Sequence, residues 1–321
     1  MKLISIVTGC FNEQDNVEPL VERIRAVFLK LPQYRYEHIF IDNCSNDHTV
    51  DRIKAIAARD KRVKLIVNTR NFGHIRSPMH GVLAARGDAV ILMASDLEDP
   101  PELIPEFLRR WEAGYKVVAG VKTRTQDAVI MRLVRQAYYK MISRIADIKL
   151  IQNFTGFGLY DRALIDVVRA LDDPYPYFRG IISEVGFEVA EVLFEKPRRA
   201  RGITKNNFYT LYDMAMLGIT SHSKVPIRLA TMAGFALSLL SLAISSAYLV
   251  LKLMFWDQFG FGTAPILIGL FFFSSVQLFF IGLIGEYVAA THTQVLKRPL
   301  VVERERVNFD DVQDSGGAPQ R

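Results

Sequence analysis

Leu3-Ile4-Ser5-Ile6-Val7-Thr8, followed at once by Gly9-Cys10-Phe11-Asn12-Glu13, decides how the N-terminal part of the chain is read. A short apolar run ending in a polar turn reads as a buried strand. The same unit recurs. His38–Asp42, Val63–Val67, Ala89–Met93 and Lys116–Ala119 read as further strands, and Asp15–Leu31, Asp47–Arg59, His74–Ala85 and Leu103–Ala113 as the helices between them. Strand and helix in alternation predict an α/β fold with a doubly wound, mostly parallel sheet. In such sheets ligands bind beyond the carboxyl ends of the strands.

That is where the polar residues are concentrated. Cys10-Phe11-Asn12-Glu13 follows the first strand, Asp42-Asn43-Cys44-Ser45-Asn46-Asp47 the second, and Ser95-Asp96-Leu97-Glu98-Asp99-Pro100-Pro101-Glu102 the fourth. Three acidic loops at one edge form a candidate site. The turn after the first strand is not G-x-G-x-x-G, and the chain holds no G-x-x-x-x-G-K-[ST], so neither a dinucleotide-binding dehydrogenase nor a P-loop nucleotidase fits.

Half of the 321 residues are apolar, only 23% are charged, and the mean hydropathy is +0.13. This is too apolar for an ordinary soluble enzyme and too charged for a polytopic transporter. The excess is local. No charged residue occurs from Leu229 to Leu251 or from Gln258 to Gly285, and each stretch exceeds the roughly 20 residues that cross a hydrocarbon core. Two transmembrane helices are expected, over 228–254 and 265–290, with an outer loop at 255–264 that carries Trp256 and Asp257.

Lys224 and Arg228 precede the first span and Lys297, Arg298, Arg304 and Arg306 follow the second; Lys252 alone counts the other way. Positive-inside logic puts both ends of the hairpin, and the N-terminal domain of residues 1–205, in the cytoplasm. An amphipathic juxtamembrane segment is expected at 206–227 and a cytoplasmic segment with a disordered tail at 291–321. Met1 to Phe11 lacks the pattern of a signal peptide.

The net charge is +6. A basic domain at a cytoplasmic leaflet has an anionic partner in the headgroups, and no nucleic-acid-binding pattern is present. The two cysteines, Cys10 and Cys44, suit a reducing compartment and read as small apolar packing. The six histidines show no zinc spacing.

Taken together, Ser5-Ile6-Val7 leading to Asn12-Glu13, Asp42 through Asp47, Asn71-Phe72-Gly73 and Asp96-Leu97-Glu98-Asp99-Pro100-Pro101-Glu102 resemble the family 2, GT-A-fold glycosyltransferases. The nearest branch is that of the polyprenyl-phosphate glycosyltransferases and dolichol-phosphate mannose synthases. Arg201-Gly202-Ile203-Thr204-Lys205, Gly285-Glu286-Tyr287 and Lys297-Arg298-Pro299 extend the resemblance to about residue 307.

The resemblance implies a nucleotide-sugar donor, a polyprenyl phosphate acceptor, Mg²⁺ or Mn²⁺, attachment to the bacterial inner membrane, and a homo-oligomer. By it, Asn12, Glu13, Asp42, Ser95 and Asp96 line the donor site, and Asp96 and Glu98 hold the metal. Arg124, Arg201 and Lys205 supply positive charge to the phosphates. Each assignment stands beside a plainer one: Asn12 suits turn chemistry as well, Asp47 a helix cap, and Arg132 and Arg135 a solvated helix face. Asp99, ahead of Pro100 and Pro101, reads better as a solvated helix N-terminus than as a ligand.

Two positions depart from the family pattern. Ala94 stands where many relatives carry the first Asp of D-x-D, and Gly156 where relatives carry an Asp taken as catalytic base. Asp161 is nearby but reads as structural. Two rivals remain at this point: a processive polysaccharide synthase of the same fold, disfavoured because Arg110-Trp111 is preceded by Phe107 rather than the Gln of Q-x-x-R-W, and a non-catalytic membrane scaffold.

Overall fold

Ile4 to Thr8 are all buried, so the sheet they belong to is covered on both faces. The computed structural model describes residues 1–123, 151, 153–195, 225–255 and 263–309. These fall into two compact units, one built from 1–133, 150–205 and 297–321, the other from 134–149 and 206–296.

In the first unit the strands are β1 (Lys2–Cys10), β2 (Tyr34–Asp42), β3 (Val63–Asn68), β4 (Ala89–Ala94), β5 (Val117–Lys122), β6 (Phe154–Asp161), β7 (Val189–Phe194) and β8 (Glu303–Val307). They form one sheet in the order β7-β5-β6-β4-β1-β2-β3-β8. β1 pairs in parallel with β2 and β4, β2 with β3, and β5 with β7; β6 and β8 run against their neighbours. The expected parallel sheet is therefore mixed: six described strands point one way and two the other.

The helices divide between the faces, as the alternation requires. Ile24 of α1 (Val17–Phe28), Ile53 of α2 (Thr49–Arg59) and Phe107 of α4 (Ile104–Glu112) pack with Ile4, Ile6 and Phe40 on one face. Met79 and Val82 of α3 (Gly73–Ala84), Leu164 of α5 (Arg162–Leu171) and Ile181 of α6 (Phe178–Val185) pack with Val7, Ile39 and Tyr160 on the other. Gly158 lets β6 lie against β5, since a Cβ there would sit 2.4 Å from the Val118 carbonyl oxygen.

Because β6 is antiparallel, Asp161 at its end lies at the edge opposite the polar loops. It accepts from Trp111 Nε1 at 2.6 Å, from Lys116 Nζ at 3.2 Å and from the Ala163 amide at 2.9 Å, where it caps α5. Its role is structural.

β8 closes the other side of the sheet. The Thr69 amide donates to the Val302 carbonyl at 2.9 Å, Lys54 pairs with Glu305 at 2.6 Å, and Asn308 Nδ2 donates to the carbonyls of Ala57 and Val63 at 2.7 and 2.8 Å. Glu303 meets His80 and Arg306. Burial pushes the Glu303 carboxyl up, but the hydrogen bonds it accepts from Arg306 and His80, with the Arg306 charge, outweigh it and hold it at about 2. An exposed edge strand invites pairing with other chains; β8 removes that edge from β3.

In the second unit, α7 (Val225–Met254) has 30 residues and α8 (Thr263–Leu296) has 34, about 45 and 51 Å at 1.5 Å per residue. Large apolar side chains such as Leu229, Met232, Phe235, Leu270, Leu278 and Phe279 are more than half exposed. Among the described residues one stretch, Phe272–Leu296 in α8, is long and apolar enough to cross a membrane; the apolar stretch Val225–Ser241 in α7 is shorter. The expected juxtamembrane segment, up to residue 224, and most of the expected outer loop, with Trp256 and Asp257, lie outside the described residues.

Candidate active site

The register of three strands brings the polar loops together. Cys10 is paired with Asp42 across β1 and β2, and Gly9 with Ala94 across β1 and β4. At ~4.8 Å per strand spacing, the ends of β2 and β4 stand ~10 Å apart with the end of β1 between them. The Asp42 and Asp96 loops thus flank the end of β1.

Asp42 is fully buried. Its Oδ2 accepts from the Ser45 amide at 2.9 Å and its Oδ1 from the Ser45 hydroxyl, a turn built by the aspartate itself. Cys10 Sγ points at the same carboxylate at 3.9 Å and at the Ile41 carbonyl at 3.6 Å. Burial pushes the Cys10 thiol well above its ordinary value, and Asp42 pushes it further. An inert, protonated thiol packed beside the site matches the apolar role read for it.

Asn12 adopts a left-handed backbone, with φ at 57°. Its amide donates to Ser45 Oγ at 2.9 Å, and its side-chain oxygen accepts the Asn46 amide at 2.8 Å. Glu13 is tied to the second loop through its amide, which donates to Thr49 Oγ1 at 2.9 Å, while its carboxylate accepts from Asn16 Nδ2 at 2.6 Å. Asp47 takes the amide of Thr49 at 3.0 Å and that of Gln14 at 3.3 Å. Asn12 therefore stitches two loops; Asp47 is not the cap itself, since His48 is the N-cap of α2, but braces the entry to the helix from one residue earlier through the Thr49 amide.

Asn43 is the connector that sequence reasoning undervalued. Its Nδ2 donates to Asn71 Oδ1 at 2.8 Å and to the Gly73 carbonyl at 3.1 Å, while its Oδ1 accepts from the Phe72 amide at 2.8 Å and from Asn68 Nδ2 at 3.2 Å. One buried amide holds the Asn71-Phe72-Gly73 turn against the Asp42 loop. An aspartate could accept two of these bonds and donate neither of the others.

After β4 the chain turns sharply at Leu97, whose φ is 62°. Ser95, Glu98 and Asp99 are buried and Asp96 is half-buried. The Glu98 amide donates to Asp96 Oδ1 at 3.1 Å. Asp99 corrects the sequence reading: it is 4% exposed and folds back to accept the Ala94 amide at 3.0 Å, so it is no solvated helix cap. Burial raises its carboxyl to about 6, with Lys122 opposing the rise and Asp96 and Glu98 adding to it.

Lys122, the last residue of β5, was not singled out from sequence. It is 8% exposed, and its Nζ lies 3.9 Å from both Glu98 Oε2 and Asp99 Oδ1. A lysine ending a strand amid apolar residues gave little signal; the acidic loop facing it belongs to a different strand. Of the residues expected to handle phosphate, Arg124, Arg201 and Lys205 lie outside the described residues.

The two departures from the family pattern fall near the ends of β4 and β6. Both lie just past the last paired residues of β4 and β6, Leu92 and Gly158. Ala94 is exposed, and a Cβ on Gly156 would meet only Leu92, at 3.8 Å. The positive φ of Gly156, 101°, is one that side chains resist. The chain supplies a carboxylate at neither place.

Among the described residues no group of three His, Cys, Asp or Glu is arranged around an ion site. Asp96 and Glu98 offer two carboxylates, a donor set that suits a hard divalent ion completed by substrate phosphates and water.

Residues 5–169 match the model of the glycosyl transferase family 2. The chain is 34% identical over 298 residues to the uncharacterized glycosyltransferase sll0501 of Synechocystis, covering 92% of this chain and 93% of that protein. The chain belongs to glycosyl transferase family 2. It is a glycosyltransferase. It is also 31% identical over 305 residues to the bactoprenol glucosyl transferase of Shigella phage SfV, covering 94% of this chain and 99% of that protein. Among solved structures it is similar to glucosyl-3-phosphoglycerate synthase from Mycobacterium tuberculosis, crystallised with Mn²⁺, UDP and phosphoglyceric acid. The TM-score is 0.47, at 18% identity over 68% of this chain and 76% of that one.

Replacing Asn43 by Ala removes four hydrogen bonds and strands the Phe72 amide. The expected cost is about 2–3 kcal/mol, seen as a melting temperature lowered by roughly 5–10 °C in detergent. An unchanged melting temperature would show that the turn stands without this connector.

Proposed function

We propose that the chain transfers a hexosyl group from a nucleotide sugar to the phosphate of a membrane polyprenyl lipid, with inversion, at the cytoplasmic face of a bacterial inner membrane. A UDP-hexose is favoured as donor over GDP-mannose. The observation that carries the reading is the convergence of the Asp42 and Asp96 loops at one sheet edge, in a family 2 glycosyltransferase that matches a bactoprenol glucosyl transferase along nearly its whole length.

The chemistry needs little from the protein beyond position and charge. A phosphate monoester has a second pKa near ~6, so the acceptor oxygen is already anionic at neutral pH. It attacks the anomeric carbon, the bond to the diphosphate oxygen breaks, and the nucleoside diphosphate leaves with the electron pair. No proton has to be removed from the nucleophile. That supports catalysis without a carboxylate at position 156.

Asp42, buried and braced by Ser45, is assigned to accept a nucleobase N–H; Asn12, Glu13 and Ser95 are assigned to the donor site by family resemblance. Asp96 and Glu98 are the carboxylates for the metal. Mg²⁺ or Mn²⁺, when bound, offsets charge on the departing diphosphate. Arg124, Arg201 and Lys205 are assigned to the same task by family resemblance. With Ala94 in place of a further carboxylate, the metal depends more on the diphosphate for its ligands.

Membrane attachment is supported by the exposed apolar surface of α7 and α8. Two crossings are favoured because the sheet domain takes up the chain both before α7 and after α8, which allows only an even number of passages. An acceptor confined to the bilayer then meets an enzyme confined to its surface.

The test is transfer by the purified chain from a panel of radiolabelled UDP- and GDP-sugars to undecaprenyl phosphate, with Mn²⁺, Mg²⁺ or chelator. Labelled lipid is expected from one UDP-hexose, lost in chelator and reduced by about 100-fold or more in Asp96→Ala. Label appearing on a growing polysaccharide, or on no lipid from any donor, would overturn the reading. Topology has its own check: in intact cells an impermeant thiol reagent should label Asp257→Cys from outside, and failure to do so removes the two-span arrangement.

A further inference from the structure

Three carboxylates follow β4 within four residues, and one ammonium stands against them. Lys122 Nζ is 3.9 Å from Glu98 Oε2 and 3.9 Å from Asp99 Oδ1, and the side chains of all three are about nine-tenths buried. An ammonium at that depth is held by opposite charge, because burying it alone is costly. Yet 3.9 Å is too long for a hydrogen bond. Lys122 therefore acts as a point charge shared by two carboxylates.

The two are not equivalent. Asp99 is committed to the fold through the Ala94 amide, which its Oδ2 accepts at 3.0 Å. Glu98 is tied to Asp96 through its own amide, which donates to Asp96 Oδ1 at 3.1 Å. A change of charge at Lys122 therefore acts on the Asp96–Glu98 pair.

We propose that Lys122 is a positioning residue, an internal counter-cation that holds Glu98 and weakens the loop's grip on a divalent ion until a diphosphate arrives. The inference rests on the metal-assisted reading above. A divalent ion approaching Asp96 and Glu98 meets a fixed positive charge within a few ångströms of one of its ligands. At the dielectric of a half-buried site that repulsion is worth about a factor of ten or more in affinity. A diphosphate brings negative charge that Lys122 and the ion can share, so the ammonium changes from competitor to partner. Metal and nucleotide then each raise the affinity for the other, by the same factor.

The experiment is Mn²⁺ binding to the whole purified chain, read from the electron paramagnetic resonance signal of the free ion, with and without UDP. Lys122→Met is expected to bind Mn²⁺ about tenfold tighter than wild type without nucleotide, and to lose most of the tightening that UDP produces. Lys122→Arg, which keeps the charge, should stay within about twofold of wild type. Lys122→Gln serves the same purpose should the methionine variant melt early. Nucleotide-free binding that is unchanged or weaker in the neutral variants, while Asp96→Asn abolishes it, overturns the role of Lys122 and leaves the metal reading standing. Binding indifferent to Asp96→Asn, or absent from every variant, removes the metal reading of the loop and the inference with it.

Discussion

The pairing of β1 with β2 on one side and β4 on the other sets the position of everything else. Because all three strands run the same way, their loops open at the same edge, and the register places Asp42 beside Cys10 and Ala94 beside Gly9. Burial of Ile4 to Thr8 on both faces resists any slip, since moving one residue would exchange the face that meets α1 and α2 with the face that meets α3. The site is thus a consequence of the core: loops that are polar and turn-forming are held within reach of one another by strands that are not.

Carboxylates at that edge accept from neutral donors: Asp42 from Ser45, Glu13 from Asn16 and Asp99 from the Ala94 amide. Lys122 stands against Glu98 and Asp99. Ala94 and Gly156 add no carboxylate to Asp96, Glu98 and Asp99. In the proposed transfer the nucleophile is already an anion, so the reaction does not call for a carboxylate base at position 156.

Much of this was legible in the residues. Every strand and helix read between residues 3 and 119 is present within a few residues of its expected ends, because each alternates a buried apolar run with a polar turn. β6 and β7 went unread: Thr155-Gly156-Phe157-Gly158 carries two glycines in a strand, a composition that argues against one until a neighbouring backbone is known to lie 2.4 Å from a would-be Cβ. β8 went unread because Glu303-Arg304-Glu305-Arg306 is all charge, which only an edge strand tolerates. Asp99 was misread for a physical reason too. The capping pattern Asp-Pro-Pro-Glu is local, whereas the Ala94 amide that captures its carboxylate is set by the left-handed turn at Leu97. Lys122 and the fourfold role of Asn43 depend on contacts between strands, which no single segment displays.

The central claim is that one sheet edge holds nucleoside and metal together, Asp42 at one side and Asp96 at the other. Anomalous diffraction at the manganese edge from crystals grown with UDP and Mn²⁺ addresses it directly. The account predicts a manganese peak within coordination distance of the Asp96 carboxylate, bridging to the diphosphate, with the uracil hydrogen-bonded to Asp42. A peak away from the Ser95–Asp99 loop, or a uracil remote from Asp42, would contradict it.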